Sequence, residues 1–139
     1  MRKTYYEYLL EELEDFRMQG KDTGKIRHIP DFFKLLSDML DHDELDRDAR
    51  QLINSALGYF VSPDDVLPDD IYGPEGYMDD LYVCAYILKK LYPDYSDIME
   101  SAWQDNERLE DAIGDAYENS KRYLEEKEIL KRIMEYSGL

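Results

Sequence analysis

A single cysteine, Cys84, stands in the whole chain, so no intramolecular disulfide can form and nothing points to an oxidising compartment. Long apolar runs are also missing. The longest, Ala56 to Val61 and Leu81 to Leu88, fall far short of the roughly 20 residues that carry a helix across a bilayer. The first residues, Met1 to Glu7, lack the apolar core that a secretory signal needs after its basic start, so a cytoplasmic chain without a targeting segment is expected. Only two histidines occur, His28 and His42, and neither has a partner histidine at helical spacing or a nearby cysteine. No zinc motif is therefore visible, and surface or helix-cap roles are expected for both. Ser62 precedes proline rather than sitting in a Gly-x-Ser-x-Gly elbow, so nothing supports a hydrolase nucleophile, and no enzyme is expected.

Basic residues are scarce where acids are dense. The chain carries 17 lysines and arginines against 33 acids, a net charge of -16, and residues 41–80 hold only Arg47 and Arg50 against 12 acids. Such a surface repels phosphate backbones, which argues against direct nucleic-acid binding and favours a basic protein partner or a divalent cation. With 43% hydrophobic residues spread in periodic blocks, the 139 residues suit one folded domain, 1–139, rather than a disordered chain.

The apolar spacing is helical throughout. Tyr5, Leu9, Leu13 and Phe16 predict a helix over 4–18, which Gly20 and Gly24 end. Pro30 and Asp31 open a second helix carrying Phe32, Phe33, Leu35, Leu36, Met39 and Leu40, and Leu45 to Phe60 repeat at three and four residues as a third. Asp79 to Leu91 predict a fourth, with Pro93-Asp94 as a break. Beyond it lies an amphipathic extension over 94–137, one helix or two, with Gly114 as the expected joint. Its stripe of Leu124, Ile129, Leu130, Ile133 and Met134 suits docking on the bundle or pairing with a second copy. The fold class is all-α: a compact bundle of five to six helices with a Pro/Asp-rich helix-to-helix connection at 62–80.

That connection has readable local chemistry. Ser62, Pro63 and Asp65 have the layout of a capping box, Pro68-Asp69-Asp70 could open another short turn, and Asp79 is expected to cap the fourth helix. Tyr59, Ser62, Pro63, Asp65, Pro68, Asp69, Gly76, Tyr77, Asp79 and Asp80 follow the pattern Tyr-x-x-Ser-Pro-x-Asp-x-x-Pro-Asp and then Gly-Tyr-x-Asp-Asp. On these residues the chain resembles the YkvA-like family, domain of unknown function 1232 (DUF1232), over roughly 30–92. The resemblance implies a small helical protein with no assigned activity, whose members often carry apolar hairpin helices suggestive of membranes. Asp64, Asp70, Tyr72, Pro74 and Glu75 depart from that apolar character.

Two functional expectations follow. The first is a non-enzymatic interaction module whose acidic middle, with Asp64, Asp70, Tyr72, Glu75 and Tyr77, engages a basic protein surface. Tyr5, Tyr6, Tyr8, Tyr82, Tyr86, Tyr92 and Tyr95 would form an aromatic rim around it. The second is a divalent-cation site at Asp65, Asp69, Asp79 and Asp80, although the spacing is not that of an EF-hand and helix capping explains the same aspartates. Imitation of nucleic acid by the acidic surface is a further alternative.

Overall fold

The computed structural model describes residues 4–61 and 73–138. Among them the chain forms six α-helices, two short 3₁₀ turns and no strand, so the all-α bundle expected from the spacing is the fold adopted. The helices are α1 (Tyr5–Met18), α2 (Ile29–Met39), α3 (Arg47–Val61), α4 (Met78–Ala102), α5 (Leu109–Glu126) and α6 (Leu130–Ser137). The turns are Gly24–Ile26 and Gly73–Tyr77. No described helix is long and apolar enough to cross a membrane.

Local chemistry sets the helix ends. Thr4 caps α1, its Oγ1 accepting the Glu7 amide at 3.1 Å. At the other end Lys21 N donates to Phe16 O and Gly20 N to Arg17 O, both at 2.9 Å, a Schellman closure made possible by the left-handed φ of 76° at Gly20. Between α2 and α3 the Arg50 guanidinium turns inward and donates to Leu40 O, His42 O and Leu45 O at 2.8, 2.7 and 3.2 Å. One planar cation with five donors thus ties three carbonyls of the connection to the first turn of α3.

The core sits around α4, which packs against α2, α3 and α5. Leu81, Val83, Ala85, Ile87 and Leu88 are all buried, so this helix is covered on nearly every side. Cys84 is buried with them, and burial, followed by the nearby Asp80 charge, pushes its thiol well above the ordinary range. Alkylation of native protein by iodoacetamide is therefore expected to run at least about 100-fold slower than in concentrated guanidinium. Comparable rates in the two states, read by mass spectrometry, would place the thiol at the surface.

One expectation is met here and two need correction. The break expected at Pro93-Asp94 is present: Tyr95, with φ -128° and ψ 22°, is non-helical, and α4 consists of two helical segments joined by a kink there. Burial of Leu88 and Leu91 before the kink and of Ile98 and Met99 after it holds the two halves on one core. Gly114 is not a joint, since it lies inside α5. The breaks fall at 103–108 and at 127–129, where Glu128 adopts a left-handed φ of 58°. Finally, α4 begins at Met78 after Tyr77, and Asp79 lies within its first turn rather than at its cap. The extension docks on its own chain: Ile133 is buried, and Ile129, Leu130 and Met134 pack on the core.

Candidate functional site

The family motif brackets the connection between α3 and α4. At its near end, Tyr59 in the last turn of α3 is buried, and its Oη donates to Asp79 Oδ2 at 2.7 Å. The second carboxylate oxygen, Asp79 Oδ1, accepts the Asp80 amide at 2.9 Å. Both aspartates are buried, at 0% and 2% exposure, in the first turn of α4, where the helix dipole favours negative charge. Successive helical positions do not share a face, so the carboxylates of Asp79 and Asp80 diverge. Asp65 and Asp69, expected to complete a cation site with them, lie outside the described residues, as do Asp64, Asp70, Tyr72 and the Ser62 capping box.

Of the expected interaction residues, Glu75 is exposed and its Oε2 accepts the Tyr123 hydroxyl at 3.0 Å. Tyr77 is not at the surface. Its ring is buried edge-on against Phe16, with centroids 6.3 Å apart, because the turn that carries it closes over α1. Nor do the tyrosines form one rim. Tyr82 is buried and stacked on Tyr117 at 5.6 Å, with its phenol pushed up to about 12 chiefly by burial. Tyr5 donates to Phe60 O at 2.8 Å, and Tyr92 Oη lies 2.8 Å from Glu100 and 3.0 Å from Glu110. These hydroxyls tie helices together.

A second constellation joins residues far apart in sequence. His28 stands at the N-cap position of α2, though its side chain makes no capping bond, and contrary to the expected surface role it is only 8% exposed. Its ring lies 5.7 Å from Phe32 and 5.5 Å from Trp103. Nδ1 is 3.2 Å from Asp31 Oδ2, and Nε2 is 2.6 Å from Glu107 Oε2. Carboxylates only accept, so both bonds form together only with the imidazolium. Burial lowers the His28 pKa, but the bonds to Asp31 and Glu107 outweigh it and the net shift is upward. The His28 bond correspondingly lowers the Glu107 pKa, with Arg27 adding to the effect through its own pairing with Glu107.

The segment between α4 and α5 delivers the carboxylates. Trp103 Nε1 donates to Glu107 O at 2.7 Å, and Asp105 Oδ2 accepts the Glu107 amide at 2.9 Å, which folds 103–107 into a tight loop over His28. One ligand-capable atom from each of His28, Asp105 and Glu107 lies within 4.8 Å of the other two. A cavity of about 90 Å³ opens beside His28 and Glu107, bordered also by Lys25, Arg27, Asp115 and Asn119. Sequence reading missed this cluster because His28 and Glu107 are 79 positions apart. The available local signals were the His-x-x-Asp ahead of α2 and the Trp103-x-Asp105-x-Glu107 run.

The fold and its bracketed connection define a small all-α bundle in which a buried Tyr–Asp pair fastens α3 to α4. The pattern of the family described as "Protein of unknown function (DUF1232)" matches residues 49–86, which contain that pair. The chain is also 30% identical over 130 residues to "Uncharacterized protein ORF9" of Methanothermobacter thermautotrophicus, an alignment covering 93% of this chain and 86% of that protein. It belongs to the DUF1232 family. No solved structure matches it.

Proposed function

We propose that this chain is a non-enzymatic interaction module that engages a basic protein surface through the acidic edge formed by the α2–α3 connection and the α4 kink. The observation that carries this reading is the bond from the Asp46 amide to Tyr95 Oη, 3.2 Å long, which holds two acidic segments side by side. One supplies Asp41, Asp43, Glu44, Asp46 and Asp48, and the other Asp94 and Asp97, all exposed. Arg47 is the exposed cation closest in sequence to the first group, and Arg50 directs its donors to backbone carbonyls. Asp46 Oδ1 accepts the Ala49 amide at 2.8 Å, and this bond, followed by one from the Tyr95 hydroxyl to the Asp46 carboxylate, lowers the Asp46 pKa and keeps it ionised. An edge of this kind steers a cationic partner and orients it.

The test compares two charge-neutralised variants for binding to poly-lysine at low and physiological salt. Asn or Gln at Asp41, Asp43, Glu44, Asp94 and Asp97 is expected to weaken binding at least about 10-fold. The same number of changes on α5 and after it, at Glu118, Glu125, Glu126, Glu128 and Glu135, should leave affinity within about 2-fold once long-range charge is screened. Equal losses in the two variants would reduce the effect to net charge and remove the edge from the account.

A further inference from the structure

We propose that His28, Asp105 and Glu107 form a binding site for a zinc-class divalent ion, closing the α4–α5 loop onto the start of α2. Three features of the cluster support it. The first is ligand chemistry: one imidazole and two carboxylates are a mixed nitrogen and oxygen set that suits zinc, cobalt or nickel better than magnesium or calcium, which prefer oxygen alone. The second is reach. The three candidate atoms already lie within 4.8 Å of one another, and ligands about 2.0–2.2 Å from a tetrahedral ion sit about 3.3–3.6 Å apart, so small side-chain rotations suffice.

The third feature is the shell behind the ligands. Asp31 Oδ2 accepts from His28 Nδ1, which fixes the ring with Nε2 facing Glu107 and Asp105, the carboxylate–histidine arrangement that orients metal-bound imidazoles. Phe32 and Trp103 hold the ring from its sides, and the Trp103 and Asp105 bonds hold the Glu107 backbone. The adjoining cavity of about 90 Å³ borders His28 and Glu107 and leaves room for water ligands on that side, with Arg27 and Lys25 on its wall.

Binding replaces the proton on Nε2 with the ion and releases that proton to solvent, so charge and atoms balance without any other reactant. Arg27 now pairs with the same Glu107 oxygen and therefore competes with the ion. Its side chain is 55% exposed and can swing into water. That competition gives the proposal a signature that a purely structural cluster lacks: removing Arg27 should tighten metal binding.

The experiment titrates Zn²⁺ into the full chain by calorimetry, and Co²⁺ by visible absorption, against Mg²⁺ and at physiological salt to suppress loose association with surface acids. Expected results are Zn²⁺ binding at one site per chain and Co²⁺ bands of a low-coordinate nitrogen and oxygen site. Affinity should fall at least about 10-fold in Glu107→Gln and in Asp31→Asn, and rise several-fold in Arg27→Ala. Should Glu107→Gln not fold, Asp105→Asn, on an exposed side chain, carries the same expectation. Absence of Zn²⁺ binding, equal affinity for Mg²⁺, or Zn²⁺ affinity unchanged in Asp105→Asn and Arg27→Ala would each overturn the assignment.

Discussion

Replacing Phe32 with alanine is expected to cost about 3–5 kcal/mol of folding stability, the range for a fully enclosed phenylalanine whose loss leaves a cavity. Phe32 has no exposed surface, and its ring stacks on Trp103 at 5.7 Å with the planes 26° apart. It also meets His28, so one side chain supports α2, the end of α4 and the loop that carries Glu107. The neighbouring Phe33 is only half-buried, against Tyr5 and Phe60, and its truncation should cost less. A domain of this size has a total stability of about 5–15 kcal/mol, so the Phe32 variant loses a large share of it. Urea unfolding followed by the fluorescence of Trp103, the only tryptophan, measures both the stability and the local loosening. A loss under about 1 kcal/mol would show that the loop and α2 repack without the ring.

The contrast between Phe32 and Glu107 marks how far the sequence could be read. Helical spacing identified α1, α2 and α3 because each has one continuous apolar stripe and a strong stop or start signal, such as Gly20 or Pro30. Pro93-Asp94 marked a real break, seen as non-helical backbone at Tyr95, and burial on either side of it keeps the two helical segments on one core. Gly114 misled because its local cost of about 1 kcal/mol is small beside the buried Ile113 and Ala116 that flank it. The true break at 127–129 turns on a left-handed glutamate, a residue type that carries no such signal. The His28 cluster was legible only as two separate fragments, since its members meet only once α2 and the α4–α5 loop are docked.

Truncating Asp79 to alanine is expected to cost about 2–3 kcal/mol, because the Tyr59 hydroxyl and the Asp80 amide then lose a charged acceptor inside the protein. Tyr59→Phe should cost less, about 1–2 kcal/mol, since the ring and its edge-on contact with Tyr136 at 5.6 Å survive. The informative quantity is the coupling. If the hydroxyl and carboxylate act as one latch between α3 and α4, the double variant is less destabilised than the sum of the single ones by at least about 0.5 kcal/mol. Tyr59 and Asp79 are 20 positions apart, so their bond closes the connection that carries the Ser-Pro and Pro-Asp elements of the family pattern. Additive losses in the double-mutant cycle, measured by denaturant unfolding, would mean that the two residues serve the core separately and do not act as a latch between α3 and α4.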